Sequence, residues 1–344
     1  MALAFPVMTL IMSGTNVAIV WFGAKLIGAQ SMQVGNLIAF MSYAMQILMS
    51  FMMLSMVFVF IPRAQASAKR IQTVLALKST MKQAEHPVAL DPDAKQHDLK
   101  FDHVEYRYRQ AEMPALSDID FEAHSGQTVA IIGGTGSGKT TLVSLIPRFY
   151  DVDKGEIELD GHNINDFSMK DLRAQVSFVP QKATLFTGTI RDNMKYGNPD
   201  ATDDQIWHAL EIARAKDFVE EDPAGLDLQV EQGGDNFSGG QKQRLAIARS
   251  LVKQAAVYVF DDSFSALDFK TDADLRAALR ADKHIQQSIT VIVAQRIATV
   301  ADADLILVLD NGKLVGKGTH DELRATNKVY QEIIHSQLRE EDDK

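Results

Sequence analysis

The run GGTGSGKT at residues 133–140 constrains the fold around it more than any other stretch of the chain. It meets every fixed position of the pattern GxxxxGK followed by Ser or Thr, and its flanks fit as well. Residues 128–132 (TVAII) read as a buried strand, and 141–145 continue as a helix. Gly133, Gly134, Gly136 and Gly138, with Thr135 and Ser137 between them, let the backbone curl around an anion. Successive N–H groups and the helix N-terminus then point at the β- and γ-phosphates of a nucleotide. Lys139 supplies a point charge to those phosphates, and the Thr140 hydroxyl a ligand for Mg²⁺. Strand, loop and helix in this order predict an α/β P-loop fold.

A length of 344 residues predicts two or three domains, and composition changes sharply along them. Residues 1–24 carry no charged side chain, Lys25 interrupts, and 26–62 are again uncharged. Two transmembrane α-helices fit, joined near Gly28–Gly35. Arg63, Lys69, Arg70, Lys78 and Lys82 follow the second span, whereas the connecting turn offers only Lys25. That asymmetry places the C-terminal part in the cytoplasm and the chain in the cell membrane as a multi-pass protein. The opening MALAFPVMTL lacks the basic start and cleavage site of a signal peptide.

Within the second span, Met41, Met45, Met49, Met52 and Met56 share one face, with Ser42, Gln46 and Ser50 beside it. Flexible thioethers suit either a surface that accepts different shapes or ordinary helix packing and lipid contact. An amide in the bilayer core is costly without a partner, so Gln46, like Asn16 on the first span, is expected to face protein or a wet pathway. A charged helix from residue 63 and a polar linker ending in HPVALDPDAKQHD (86–98) then lead to a soluble domain starting near Leu99. The net charge of −10 argues against nucleic acid or an anionic membrane surface as the ligand. The absence of cysteine excludes disulfides and thiolate metal sites.

Two further stretches belong with the phosphate loop. VYVF at 257–260 is a short apolar strand ending in Asp261, the arrangement that holds a Mg²⁺ carboxylate opposite the loop. In NFSGGQKQR (236–244), Ser238 with Gln241 three residues later forms a capping box. A helix therefore starts there, with the Gly239 and Gly240 N–H groups at its positive end as a second phosphate grip.

With these residues the sequence resembles the nucleotide-binding domain of ATP-binding cassette (ABC) transporters, specifically the exporter type that follows six membrane helices. Tyr108 in VEYRY resembles the aromatic that stacks on adenine, and Gln181 in FVPQ the glutamine that contacts Mg²⁺ and senses the membrane domain. TIRDN (189–193), FSGGQ (237–241) and SALD (265–268) complete the set in order. The resemblance spans 99–337 and implies ATP and Mg²⁺ as ligands, a helical subdomain, and nucleotide contacts from 133–141 (Thr141 included), Ser238, Gly239, Gly240, Gln241 and Asp268. Residues 1–70 resemble the last two of six membrane helices, 71–98 a linker and 338–344 an acidic tail. Four helices and the two cytoplasmic coupling loops are missing by that comparison, so the chain reads as an N-terminally truncated half.

The departures concern hydrolysis. Asp262 stands where active members carry Glu, and Gln295, in VAQRIAT, where they carry His. A carboxylate one methylene shorter is withdrawn by about an ångström, enough to cost on the order of 100-fold in rate. Gln295 can hydrogen-bond a γ-phosphate but carries no imidazolium charge. Gln232 also replaces the family's glutamate before the signature. The phosphate loop, Tyr108 and signature are intact. In the family two domains close head to tail, each ATP lying between one chain's phosphate loop and the other's signature. The pattern thus resembles the degenerate-site half of a heterodimeric multidrug exporter with lipophilic cargo, a homodimer being the other pairing. Asp262, Gln295 and Gln181 are its expected catalytic positions, and Thr140, Gln181 and Asp261 its metal ligands. A nucleotide-binding regulatory module without productive turnover is the second reading. A soluble ABC ATPase of DNA repair or translation is the third, opposed by the uncharged spans.

Overall fold

A computed structural model describes residues 4–79, 81–89, 94 and 96–342, with only the backbone of Ala4, Phe5, Val59 and 338–342. Met1, the linker residues Asp91–Asp93 and the end of the acidic tail lie outside the described residues. The chain divides into two compact units, 1–80 and 81–344.

The first unit is a helical pair, α1 (Ala4–Gly28) and α2 (Val34–Leu75), each long and apolar enough to cross a membrane. Their hydroxyls turn inward: Thr15 donates to the Ile11 carbonyl, Ser42 to Ile38 and Ser50 to Gln46, all at 2.8–2.9 Å. Such i−4 bonds satisfy polar side chains without water. Gly23 lets the Leu37 side chain approach where a Cβ would overlap it. Asn16 Nδ2 donates to the Met45 sulfur at 3.3 Å across the pair, so the first polar side chain faces protein as expected. Gln46 is exposed on the helix surface, and of the methionine row Met41, Met45 and Met52 are half-buried. α2 continues through Pro62 for 42 residues, about 63 Å at the α-helical rise.

The second unit is built on a ten-stranded sheet. Its strands are β1 (Asp98–Tyr106), β2 (Leu116–His124), β3 (Thr128–Gly133), β4 (Lys154–Leu159), β5 (His162–Asn163), β6 (Val176–Val179), β9 (Val257–Asp261), β10 (Ile289–Val293), β11 (Leu305–Asp310) and β12 (Lys313–Gly318). β7 (Gly188–Thr189) and β8 (Gln229–Val230) pair separately. The order is β5-β4-β1-β2-β12-β11-β3-β10-β9-β6, with β11, β3, β10, β9 and β6 mutually parallel. Those parallel strands are covered on both faces and read as continuous apolar runs, ITVIV in β10 being buried throughout. Alternate residues serve opposite cores: Val129 and Ile131 of β3 join one cluster, Ala130 and Ile132 the other. β1, β2 and β4 form an antiparallel layer whose burial alternates, as a sheet with one wet face requires.

Helices α3 (Lys139–Leu145) and α4 (Met169–Gln175) connect these strands. A helical insertion follows β6: α5 (Ile190–Lys195), α6 (Asp203–Ile212), α7 (Lys216–Glu220) and α8 (Gly239–Val252). TIRDN opens α5 through a Thr189–Asp192 capping box, and the buried Asn193 amide bonds the Phe186 and Thr189 carbonyls. After β9 come α9 (Phe269–Ala281), α10 (Ile297–Val300), α11 (His320–Thr326) and α12 (Lys328–Asp342).

The sequence sets the domain start near Leu99, whereas the second compact unit starts at Met81. The reason is local. The Val88 N–H donates to the Asp166 carbonyl at 2.9 Å, and the buried Arg148 guanidinium donates to the Lys82 carbonyl at 2.8 Å.

Candidate functional site: the phosphate loop and its neighbours

β3 delivers the phosphate loop at the carboxyl end of the sheet, where the loops after β9 and β10 also emerge. The expected strand and helix are β3 and α3, so the loop 134–138 has the strand–loop–helix setting that its motif requires. Gly138, at φ 104°, turns the chain into α3. A Cβ at Gly133 would overlap the Leu309 carbonyl and lie 2.7 Å from Ser137 Oγ, so the loop leaves β3 through a gap only glycine fits. Ser137 Oγ is buried without a hydrogen-bond partner. A buried hydroxyl is costly to leave unpaired, and a phosphate oxygen bound in the loop would supply what it lacks.

Lys139 Nζ folds back onto the carbonyls of Gly133 and Gly134, both at 2.8 Å, and burial pushes its pKa below the ordinary lysine value. Two carbonyl dipoles hold a cation weakly compared with anionic oxygens, so the ammonium is free to exchange them for phosphate. Thr140 Oγ1 donates to Asp261 Oδ1 at 3.0 Å. Asp261 is 3% exposed, and burial raises its carboxyl pKa despite the Thr140 hydrogen bond. A hydroxyl and a carboxylate oxygen this close fit a hard divalent cation, which would offset the burial of the charge. Tyr108 Oη bonds Thr141 Oγ1 at 2.9 Å, and the Tyr108 ring stands edge-on to Tyr150 and Tyr106. The ring is 40% exposed and so open to a base.

Asp262, in the left-handed region at φ 49°, follows directly after β9. Its N–H donates to the Val293 carbonyl at 3.0 Å. Its Oδ2 accepts two amides, Gln181 Nε2 at 2.9 Å and Gln295 Nε2 at 2.6 Å. The structure thus brings all three expected catalytic positions together on one oxygen. With its amide nitrogen on Asp262, Gln181 has only its carbonyl oxygen to offer a cation.

A cleft of about 630 Å³ opens over these groups, lined by Gly133, Gly134, Thr135, Lys139, Asp262 and Gln295, with Gln337 of α12 at one side. The signature does not line it. Ser238 caps α8 through the expected box, Gln241 N to Ser238 Oγ at 3.3 Å and Ser238 N to Gln241 Oε1 at 2.9 Å. Gly239 is exposed with open space around it, and Gly240 lies against the Ala266 carbonyl. Asp268 caps α9 through Thr271, and those hydrogen bonds lower its pKa. Gln232 is exposed at the start of a 3-10 turn that ends on the buried Gly234. Three contributors escape the motifs: Gln337, Tyr150 beside Tyr108, and Phe269 beneath the Arg296 guanidinium at 4.7 Å. Only the aromatic in RFYD, Tyr150, carries a local signal, being close in sequence to the loop.

The sequence profile of the ABC transporter family matches residues 116–265. The chain is 45% identical over 340 residues to an uncharacterized ABC transporter ATP-binding protein of Mycobacterium tuberculosis (strain H37Rv), covering 98% of this chain and 57% of that protein. It is 38% identical over 333 residues to an uncharacterized ABC transporter ATP-binding protein of Bacillus subtilis, covering 97% and 57%. A Staphylococcus aureus protein named as a candidate multidrug export ATP-binding/permease protein is 42% identical over 245 residues, 71% of this chain and 42% of that one. Among solved structures, an ATP-bound bacterial Atm1-family ABC exporter superposes with a TM-score of 0.76 at 33% identity, over 96% of this chain and 57% of that one. The chain therefore spans 57% of the length of the M. tuberculosis and B. subtilis relatives and of the solved exporter, and the match covers 42% of the S. aureus protein. Residues 116–265 form an ATP-binding domain of the ABC transporter family, in a chain homologous to ABC exporter ATP-binding/permease proteins.

Proposed function

We propose that this chain is the ATP-binding subunit of a membrane exporter, with a slow site of its own and a signature lent to a partner. ATP binds on 133–141 and Tyr108, with Mg²⁺ on Thr140, Asp261 and the Gln181 carbonyl oxygen. The metal neutralises phosphate charge when bound, and the residues of this chain do the positioning. The helical pair α1 and α2 belongs to the bilayer, the second unit to the cytoplasm, and the cargo in this reading is lipophilic, the S. aureus relative being named for multidrug export.

The observation that carries the slow-site reading is Asp262 Oδ2, already engaged by two amide donors. A general base must present a lone pair to the attacking water, and two donors already occupy the lone pairs of that oxygen. Phosphate binding is untouched by this, because every loop donor stays available. The exposed signature, outside the chain's own cleft, suits a second subunit that brings its own phosphate loop to Ser238 and Gly239. A heterodimer follows if that partner carries Glu and His at the positions of Asp262 and Gln295. The regulatory reading, closure on ATP without turnover, rests on the same engaged carboxylate.

The test is steady-state hydrolysis by the full chain in lipid, alone and with its partner. The chain alone should bind Mg-ATP and turn it over slowly, and Asp262→Glu should raise turnover at least tenfold where the facing signature is competent. Fast hydrolysis by the unpaired wild type ends the slow-site reading. Tight binding with no turnover in either assembly leaves the regulatory one standing.

A further inference from the structure

The segment Ala294–Arg296 connects β10 to α10, a helix of four residues. A helix so short has no internal partners for its first N–H groups, and Arg296 at its start provides no side-chain cap. Gln337 supplies one from α12. Its Oε1 accepts from the Ile297 N–H at 2.9 Å, and its Nε2 donates to the Gln295 carbonyl at 2.6 Å. One primary amide therefore fixes the peptide groups on both sides of Arg296. α12 is itself well anchored: Tyr330 is fully buried with its hydroxyl 2.8 Å from His320 Nδ1, and Ile333 and Ile334 pack on the core. From that fixed backbone the Gln295 side chain reaches Asp262.

We propose that Gln337 is a positioning residue, holding the Gln295 backbone so that its amide stays on Asp262 and toward the γ-phosphate end of the cleft. The last helix of the chain then sets the geometry of a loop after β10. This inference rests on the ATP-hydrolysing reading above for its kinetic part. Its structural part stands on the two hydrogen bonds.

The experiment uses the full chain in lipid without a partner, so that the turnover read is that of its own slow site, comparing wild type, Gln337→Ala, Gln295→Ala and the double variant. In Gln337→Ala, amide hydrogen exchange over 294–298 should rise at least tenfold while that of β10 stays unchanged. Turnover of that slow site should shift fivefold or more, in the same direction as in Gln295→Ala, with the KM for ATP within twofold. In the Gln295→Ala background, Gln337→Ala should change turnover no further, since its effect passes through Gln295. Unchanged exchange over 294–298, or a full additional shift in the double variant, overturns the proposal. Should Gln337→Ala loosen β10 as well, Gln337→Glu takes its place. That variant keeps the acceptor for Ile297 and loses the donor to Gln295, and unaltered turnover in it overturns the proposal. If the wild type binds ATP without turnover, the hydrolytic reading fails while the exchange measurement still decides the clamp.

Discussion

The Asp262 carboxylate receives both Gln181 and Gln295 at one oxygen, and each of the three is recognisable in the sequence as a departure from or match to a motif. Their meeting is not. They follow β6, β9 and β10, and only the strand order brings those loop ends side by side. Asp261 illustrates the same limit: its place after an apolar strand is legible, but its energetic position depends on burial. Because burial raises its pKa in the fold, the folded state holds a proton on Asp261 more tightly than the unfolded chain. The stability linked to that proton is fully present below the unfolded pKa and is lost as pH rises through the raised value. At neutral pH the ionised group therefore weakens the nucleotide-free fold, and Asp261→Asn removes the burden. That variant should melt higher without ligand, by about 2–4 °C if roughly 1 kcal/mol is recovered, and should lose the extra stabilisation wild type gains from Mg²⁺ with ATP. Calorimetry at pH 7, with and without Mg-ATP, measures both. A lower melting point in the nucleotide-free variant contradicts this account.

Among the elements, α8 was the most readable, because a Ser–x–x–Gln box starts a helix by satisfying its own first N–H groups, and the pair Ser238 and Gln241 does so here. β10 was the least readable. Its ITVIV run is buried at every position, Thr290 included, and it intervenes between β3 and β9 with no motif of its own to announce it. The dual use of Ser238 yields a separable test. Ser238→Ala removes the cap and should cost about 1 kcal/mol of stability, along with the hydroxyl offered to the partner's nucleotide. Ser238→Asp keeps a capping oxygen but sets a negative charge where γ-phosphate is expected. Turnover of the pair should be abolished in both, with melting lowered only in the first, whereas Asp262→Ala should leave most of the pair's rate. Equal losses from Asp262→Ala and Ser238→Ala would mean two equivalent sites and a symmetric transporter.

At the level of the whole molecule, the change from uncharged spans to a polar P-loop domain is plain in the composition, since bilayer and water select opposite side chains. The junction between the two units is not. Prolines and aspartates in 86–98 signal a linker, yet Val88 within it is bonded to Asp166 through backbone alone, and Lys82 before it accepts from the distant Arg148 side chain, ties that no local pattern announces. Arg148 turns that detail into a practical rule for dissecting the protein. Its guanidinium, 2% exposed, has the Lys82 carbonyl and Asp151 as its close partners. A nucleotide-binding fragment cut at Leu99, where the motifs begin, removes the Lys82 carbonyl and strands part of a buried cation, at a cost of about 1–3 kcal/mol or more. A fragment begun at Met81 keeps it. The shorter piece should melt lower and aggregate sooner, Arg148→Met should narrow the gap between the two, and equal melting of both fragments would show the tie to be idle. Clones chosen by motif boundaries would then misreport this domain as unstable, when what they lack is eighteen residues of tether.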